Sequence, residues 1–310
     1  MAELNVNDVN FDDNNVALAI SGAVSEYFKK ISLIADEVLA KDDVNIVLIA
    51  GPSGSGKTTT ARLIADEIEK RGEDAPVISL DDFYRTESDE KYPRRASGER
   101  DYESPEALDL DLFMEVMKKI LKKEEFELPK YDFRTGKRQK GQCHAPLKRG
   151  CIIIEGLHAL NPCICKGLPR ERVIKIFISV STNINDGKTR ILSGRKIRFI
   201  RRLVRDSIYR GATAERTLSM WKNVTAAEDI YLYPYKNEAD FRFDTFHSFE
   251  LGVMREYALN LIPKWLYESE CYLSKIVSAL KSINPINPEL VPESSLIREF
   301  ISGGIYDNLY

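Results

Sequence analysis

The sequence predicts an α/β protein in which helices flank a doubly wound, mainly parallel sheet. Continuous β-branched runs occur at 46–50 and 151–156, a glycine-rich turn follows the first run, and segments with helical spacing lie between the runs. Apolar runs without alternation are typical of strands buried on both faces of a parallel sheet. Strands that alternate with helices are joined by right-handed crossovers. We therefore expect ligands at the carboxyl ends of the strands.

The remaining elements follow in chain order. Residues 1–13 are predicted to be a polar lead, and 14–40 carry apolar positions at helical spacing, which indicates one or two helices. A helix that starts after the glycine-rich turn ends near Gly72, and the charged stretch 85–103 is predicted to be a loop. The other predicted strands are 76–80, 173–181 and 241–246, and the other predicted helices are 105–123, 187–210, 213–236 and most of the chain after 249.

Composition limits the class of protein. The 310 residues are 43% hydrophobic and 30% charged, which is typical of a globular enzyme, and the net charge of -3 argues against a nucleic-acid partner. The polar start does not resemble a signal peptide, and no apolar run approaches the roughly 20 residues that span a bilayer. Five cysteines without a CxxC pair predict free thiols. We expect a cytoplasmic protein without a membrane partner.

The segment 51–58, GPSGSGKT, matches the phosphate-binding pattern G-x-x-x-x-G-K-[ST]. It follows a predicted strand and begins a predicted helix, whose amino terminus adds partial positive charge. We expect Lys57 to bridge the β- and γ-phosphates of ATP, and the Thr58 hydroxyl to reach Mg²⁺. This motif narrows the predicted fold class to the P-loop NTPase fold. The predicted cofactor-binding residues of the loop are Gly51, Ser53, Gly54, Ser55, Gly56, Lys57, Thr58 and Thr59.

Acidic residues follow two other predicted strands. Asp81 ends the strand 76–80, where a carboxylate accepts a proton from an attacking hydroxyl, and Asp82 competes for this role. Glu155 ends the strand 151–156, from which a carboxylate reaches Mg²⁺. The predicted metal ligands are therefore Thr58, Glu155 and Asp81. The alternative is that the aspartates cap the next element and that Glu155 is an ordinary acid at a strand end.

Two further segments suit the acceptor and the phosphates. Tyr131 and Phe133 suit the walls of a planar-base pocket, or alternatively a hydrophobic loop anchor. The segment 195–211 contains a single acid, Asp206, among many arginines, and guanidinium groups suit phosphate oxygens. We interpret about 190–212 as a lid that closes over ATP, with a solvated helix face as the alternative. The arginines are Arg195, Arg198, Arg201, Arg202, Arg205 and Arg210.

The motifs GPSGSGKTT, DDFYR, YESPEALD, PKYDF, IIIEG and RRLVRDSIYRG occur in this order. In this, the chain resembles the uridine kinase branch of the phosphoribulokinase/uridine kinase family over about residues 44–250. The resemblance implies a P-loop kinase domain at 44–250 between helical extensions at 1–43 and 251–310. The tail 294–304 is also similar to the end of longer bacterial nucleoside kinases. The extensions either cap the sheet or form a homo-oligomer contact.

The resemblance also implies roles for single residues. Asp81, Lys57 and Arg205 are implied to be catalytic, Arg202 to bind the nucleotide, and Glu155 to be the acid associated with Mg²⁺. On the acceptor side it implies substrate contacts for Asp81, Tyr84, Glu103, Tyr131, Phe133 and Arg210. The chain departs from the family pattern at Gly136, where uridine kinases carry a histidine that contacts the base, and near 219–221, which lacks the ribose-side glutamine.

The expected activity is transfer of the γ-phosphoryl group of ATP to the hydroxyl of a small molecule, with the 5′-hydroxyl of uridine or cytidine as the first candidate. A second candidate is another alcohol, such as a sugar phosphate or a pantothenate-like compound. Arg94, Arg95 and Arg100 are available as cations for a phosphorylated sugar. A third hypothesis is a catalytically inactive nucleotide-binding regulator.

Overall fold

The computed structural model describes residues 2–41, 46–132, 135–147 and 150–309. The strands are β1 (Glu3–Asn5), β2 (Ile46–Ala50), β3 (Val77–Ser79), β4 (Phe126–Asp132), β5 (Lys137–His144), β6 (Ile152–Glu155), β7 (Val173–Ser179), β8 (Asn183–Asp186), β9 (Thr189–Leu192) and β10 (Phe241–Asp244). The helices are α1 (Val16–Leu39), α2 (Lys57–Glu69), α3 (Leu110–Leu121), α4 (Pro162–Cys165), α5 (Gly194–Arg210), α6 (Ala214–Tyr231), α7 (Glu250–Leu261), α8 (Lys264–Ser269), α9 (Cys271–Lys281) and α10 (Arg298–Ile301).

The central sheet has five strands in the order β10-β7-β2-β6-β3. All four neighbouring pairs are parallel, which confirms the predicted α/β fold. Every residue of β2 is buried, as expected for a strand covered by helices on both faces. The carboxyl ends of β2, β3 and β6 lie side by side, and the glycine-rich turn, Asp81 and Glu155 follow or end these strands.

Two small sheets were not predicted. Residues 3–5, expected to be a loose lead, form β1, which pairs in parallel with β8, and the Glu3 carboxylate accepts hydrogen bonds from Asn183 and Asn185 at 2.8 Å each. The second sheet is the antiparallel hairpin of β4 and β5. Because β5 has the polar sequence KRQKGQCH, it carries no alternation of apolar residues that would reveal a strand.

Helix boundaries differ from the prediction in two places. Residues 189–192, expected to be helical, form β9, and α5 begins only at Gly194. The predicted helix 105–123 is divided into a single turn at 105–107 and α3, because the Asp109 side chain caps α3 by accepting from the Leu112 amide at 3.2 Å. Within the described ranges, the chain has no helix with the length and hydrophobicity needed to cross a membrane.

The segment 14–40 is one long helix. α1 has 24 residues and buries Ile20, Tyr27 and Ile31 along one face. The Tyr27 hydroxyl lies 2.6 Å from the Thr60 hydroxyl in α2, so α1 packs directly behind the helix that follows the glycine-rich turn. It also reaches the sheet at β10, where the Tyr27 and Phe243 rings have centroids 6.1 Å apart.

Candidate active site

The glycine-rich turn, residues 51–58, lies tightly between two parts of the protein and is called the P-loop below. Gly54 and Gly56 have positive φ angles of 73° and 85°, a region that favours glycine. A Cβ atom at Gly54 would lie 2.8 Å from the Arg198 carbonyl oxygen, and one at Gly56 would lie 2.6 Å from Leu296 Cδ1. The loop is therefore enclosed by α5 on one side and by residues near 296 on the other.

A buried ion pair supports the first half of the P-loop. Arg198 and Glu228 have exposed side-chain fractions of 1% and 0%, and their closest nitrogen–oxygen distance is 2.8 Å. The Ser53 amide donates to Glu228 Oε1 at 2.8 Å, and Arg198 donates to the Ser53 carbonyl at 2.7 Å. The pair thus holds both main-chain polar groups of one P-loop residue.

A second buried pair supports the middle of the loop. Arg201 and Glu250 are fully buried and lie 2.7 Å apart. Arg201 donates to the Gly54 carbonyl at 3.2 Å, and the Thr245 hydroxyl donates to the Ser55 carbonyl at 2.8 Å. These bonds hold the carbonyls of Gly54 and Ser55 through side chains that lie outside the loop.

These two ion pairs show that one part of the lid prediction, the role of Arg198 and Arg201, is wrong. Arg198 and Arg201 were expected to be available to phosphate because α5 holds a single acid, but their partners come from α6 and α7. Glu228 lies 30 positions after Arg198, and Glu250 lies 49 positions after Arg201. Local sequence gives no signal for pairs at this separation. Both arginines build the P-loop and do not line the nucleotide cleft.

Three of the other predicted arginines of α5 share acids at its C-terminal end. Arg202 and Arg210 lie 3.1 and 3.2 Å from Asp206, and Arg202 also donates to the Ser53 hydroxyl at 2.8 Å. Arg205 donates to Glu299 at 3.2 Å. The Arg210 side chain is 61% exposed, whereas the Arg202 and Arg205 side chains are mostly buried. Since Arg205 and Arg210 both stabilise the Asp81 carboxylate, this end of the helix borders the cleft.

The P-loop threonine contacts Glu155, and the P-loop lysine lies near enough to affect its charge. Lys57 Nζ donates to the Pro52 carbonyl at 3.3 Å, and the Thr58 hydroxyl lies 3.5 Å from Glu155 Oε1. Ser79 donates to the same carboxylate oxygen at 2.8 Å. Sequence reasoning missed Ser79, although its place at the end of β3 was a usable signal. Burial raises the pKa of Glu155 to about 7, and the nearby Lys57 opposes the rise.

These residues fit the magnesium ion that P-loop kinases use. A threonine hydroxyl beside a carboxylate is a pair of hard oxygen donors, and the buried Glu155 carboxylate would be stabilised by a cation. The described part of the chain has no cluster of three histidine, cysteine or acidic side chains that could hold a metal. Thr58 and Glu155 therefore fit an ion that takes its remaining ligands from phosphate and water.

The structure distinguishes the two candidate bases at the end of β3. Asp82 accepts from the Tyr131 amide at 3.2 Å and lies 3.2 Å from Lys130 Nζ, so it ties the β4–β5 hairpin to the sheet. Asp81 is solvent-accessible but lies in the crowded cleft, where burial raises the pKa of its carboxyl and Lys57 opposes the rise. Of the two aspartates, Asp81 is therefore the one whose carboxylate Lys57 stabilises.

Tyrosines line the cleft beside Asp81. The rings of Tyr84 and Tyr131 have centroids 5.5 Å apart, and the Tyr84 hydroxyl donates to the Tyr102 carbonyl at 2.9 Å. Tyr92 packs edge-on against Tyr102 at 5.7 Å. Tyr92 and Tyr102 were missed because they lie in a charged segment that gave no periodic signal. Phe133, predicted to join this pocket, lies outside the described residues.

Glu103 connects the tyrosine-lined cleft to α5. Burial raises the pKa of the Glu103 carboxyl, and the Arg202 guanidinium opposes this rise. The negative charge of Asp81 adds to the rise, so the two carboxylates lie near one another. The predicted acceptor-side residues Asp81, Tyr84, Glu103 and Tyr131 thus come together, and Arg202 and Arg205 lie near enough to stabilise the Glu103 and Asp81 carboxylates.

Comparison with known proteins identifies the family of the chain. The profile of the phosphoribulokinase/uridine kinase family matches residues 46–250. The chain belongs to this family. It is 30% identical over 199 residues to a uridine kinase of Staphylococcus haemolyticus, which covers 64% of this chain and 86% of the relative. It is 32% identical to a uridine kinase of Borrelia hermsii over 64% of this chain and 84% of the relative.

Solved structures show the same fold. A candidate fructose transport system kinase from Silicibacter aligns with a TM-score of 0.51 and 20% identity, over 69% of this chain and 98% of that one. The candidate P-loop kinase YFH7 of Saccharomyces cerevisiae aligns with a TM-score of 0.50 and 13% identity, over 72% and 99%. Family membership makes the chain a phosphotransferase that acts on a hydroxyl acceptor and implies the use of ATP.

Proposed function

We propose that the protein transfers the γ-phosphoryl group of ATP to the 5′-hydroxyl of a pyrimidine nucleoside, uridine or cytidine. The observation that carries the proposal is the shared cleft in which Lys57 stabilises the Asp81 carboxylate and the tyrosine pair Tyr84–Tyr131 lies beside that aspartate. Uridine kinases among the relatives make a nucleoside the first candidate for the acceptor.

The P-loop residues supply the donor side of the reaction. The amides of the loop and Lys57 bind the β- and γ-phosphates, and Lys57 stabilises the negative charge that develops during transfer. Thr58 and Glu155 would hold Mg²⁺, which neutralises phosphate charge when it is bound. Arg205, beside Asp81, adds a further positive charge at the transferring group.

Asp81 supplies the acceptor side. Its carboxylate orients the acceptor hydroxyl and accepts its proton while the hydroxyl oxygen attacks the γ-phosphorus. The bond from that phosphorus to the bridging oxygen of ADP breaks, so the products are the phosphorylated acceptor and ADP. Because desolvation in the cleft raises the pKa of the Asp81 carboxyl, its carboxylate is a better proton acceptor than that of an aspartate with the ordinary pKa.

The tyrosine pocket suits a flat base attached to a ribose. Tyr84 and Tyr131 offer aromatic faces for stacking, and Glu103 is available to ribose hydroxyls. A phosphorylated sugar is supported less well, because its predicted cations already have local partners. Arg95 lies 3.4 Å from Asp101, and Arg100 lies 3.1 Å from Glu87.

A panel of acceptors tests the proposal. ADP release is coupled to a spectroscopic signal with uridine, cytidine, purine nucleosides, pantothenate and sugar phosphates. We expect saturable turnover with uridine or cytidine. Turnover with non-nucleoside alcohols alone would exclude the nucleoside assignment, and ATP binding without turnover on any acceptor would favour the inactive regulator.

A separate variant tests whether Asp81 accepts the proton. Asp81→Asn is expected to lower turnover by roughly 10²-fold or more while ATP binding, measured by calorimetry, persists. Asp82→Asn is the matched control, because its amide oxygen still accepts from the Tyr131 amide, and its loss should be much smaller. Full activity of Asp81→Asn would show that another group accepts the proton.

A further inference from the structure

The segment 293–301 packs against the P-loop although it lies outside the residues that the family profile matches, 46–250. Leu296 fills the space beside Gly56, as the hypothetical Cβ contact there shows. The Phe300 ring lies under Arg201, with the guanidinium carbon 4.9 Å from the ring centroid. The segment therefore contacts the donor site of the kinase from a part of the chain beyond the family domain.

Glu299 makes the most specific contact of this segment. Its carboxylate is almost completely buried and uses one oxygen for each of two partners. Oε2 accepts from the Thr59 hydroxyl at 2.9 Å, and Oε1 accepts from Arg205 at 3.2 Å. Thr59 was predicted to bind the nucleotide, and the structure directs its hydroxyl to Glu299. Glu299 thus joins the first turn of α2 to the end of α5.

Charge balance explains why this contact matters. Arg202, Arg205 and Arg210 all lie within 4 Å of one carboxylate, that of Asp206, at 3.1, 3.7 and 3.2 Å. Glu299 supplies the second carboxylate of this cluster, and it contacts only Arg205 among the three. Without it, Arg205 would be repelled by two neighbouring guanidinium groups while sharing one acid with them.

We propose that Glu299 is a positioning residue for phosphoryl transfer. It holds the Arg205 guanidinium at the wall of the cleft, where Arg205 stabilises the Asp81 carboxylate, and it fixes this arginine relative to the turn that carries Thr58. The inference rests on the proposed role of Arg205 in phosphoryl transfer. It extends the active site to a segment that begins more than forty residues after the family domain ends.

Glu299→Gln tests the role, because glutamine preserves shape and removes the charge. With the best acceptor of the panel, we expect kcat to fall roughly 10-fold or more, as for other losses of alignment, while the KM for ATP changes little. If Glu299 acts through Arg205, the double variant Glu299→Gln/Arg205→Gln should be no slower than Arg205→Gln alone. Losses that multiply in the double variant, or an undiminished kcat in Glu299→Gln, would overturn the proposal.

A second measurement does not depend on the acceptor. ADP with aluminium fluoride mimics the phosphoryl group in flight, and its binding is measured by calorimetry beside that of ADP alone. Glu299→Gln should weaken the first complex roughly 10-fold and leave ADP binding unchanged. Equal weakening of both, or of neither, contradicts a positioning role. A wild-type enzyme that binds the mimic but turns over no acceptor counts against the proposed function and not against Glu299.

The control is Glu289→Gln. Glu289 belongs to the same C-terminal region but is exposed, and its side chain accepts a hydrogen bond from the neighbouring Asn287 side chain at 3.5 Å, so both assays should be unchanged. Thermal melting of each variant reports whether it folds. Should Glu299→Gln not fold, Glu299→Asp keeps the charge with a shorter reach, and the same selective weakening of the mimic is expected.

Discussion

The two sides of the cleft differ in the ion pairs that stabilise them. Buried arginine–glutamate pairs fix the P-loop, with Arg201–Glu250 fully excluded from solvent. On the acceptor side, Arg100–Glu87 and Arg95–Asp101 join loop residues that keep contact with water. Buried pairs require complete hydrogen bonding, whereas exposed pairs tolerate substitution. The P-loop is thus held by pairs whose loss is costly, whereas the loop 85–103 is expected to tolerate substitution with little effect on the fold.

The largest expected effect concerns the buried pair. Arg201→Met leaves the Glu250 carboxylate without its partner in the interior and should lower the free energy of unfolding by about 3–5 kcal/mol, measured by urea titration. The double variant Arg201→Met/Glu250→Leu removes both charges and should recover much of this loss. If Arg201→Met lowers the free energy of unfolding by less than about 1 kcal/mol, the buried pair would be no more important for stability than an exposed one.

An acceptor-side variant should change binding and leave the donor side intact. Tyr131→Ala removes an aromatic face and should raise the KM for the nucleoside about 10-fold, the scale of base stacking, with unchanged affinity for ATP. Tyr131→Phe retains the ring and is the control. Weaker ATP binding in Tyr131→Ala would mean that the two sides are coupled.

The pH dependence of stability provides a third test. His247 is buried behind the P-loop, with Nδ1 3.0 Å from the Thr245 carbonyl, and burial lowers the pKa of its imidazole to about 3, with a further contribution from Arg201. The unfolded chain therefore binds a proton that the folded chain does not, and stability falls as the pH drops below about 6.5. His247 alone should account for about 1 kcal/mol between pH 6.5 and 5.5.

His247→Gln isolates this contribution. Glutamine can still donate to the Thr245 carbonyl but does not titrate, so the decrease in unfolding free energy between these pH values should be smaller by that amount. Denaturant titrations at each pH measure it. An identical pH slope in the variant would mean that His247 is protonated in the folded protein.

The smallest effect is expected on the acceptor surface. Arg100→Met breaks a pair with Glu87 in which both side chains are 33% exposed. The free energy of unfolding should change by less than about 1 kcal/mol, measured by the same urea titration as for Arg201→Met. A loss as large as that of the buried pair would show that the acceptor loops are as tightly constrained as the P-loop.

The P-loop could be predicted from sequence because its chemistry depends on consecutive residues between a strand and a helix. Sequence position does not distinguish Asp81 from Asp82 as the base, since both follow the same strand. The distinction depends on the Tyr131 amide, which lies 49 positions from Asp82 and donates a hydrogen bond to it. The β4–β5 hairpin was missed because β5 lacks apolar alternation. In each case the missing information is a contact between distant segments.

The glutamates that brace the P-loop have a consequence for how the chain matures as it is made. Thr59 is synthesised 240 positions before Glu299, its hydrogen-bond partner, and Glu228 and Glu250 also come long after the loop that they support. Chains grow from the amino terminus at about 5–20 residues per second. A nascent chain therefore carries its P-loop without Glu299 for roughly 12–48 seconds, and a ribosome-stalled product that ends before residue 299 should lack the finished donor site.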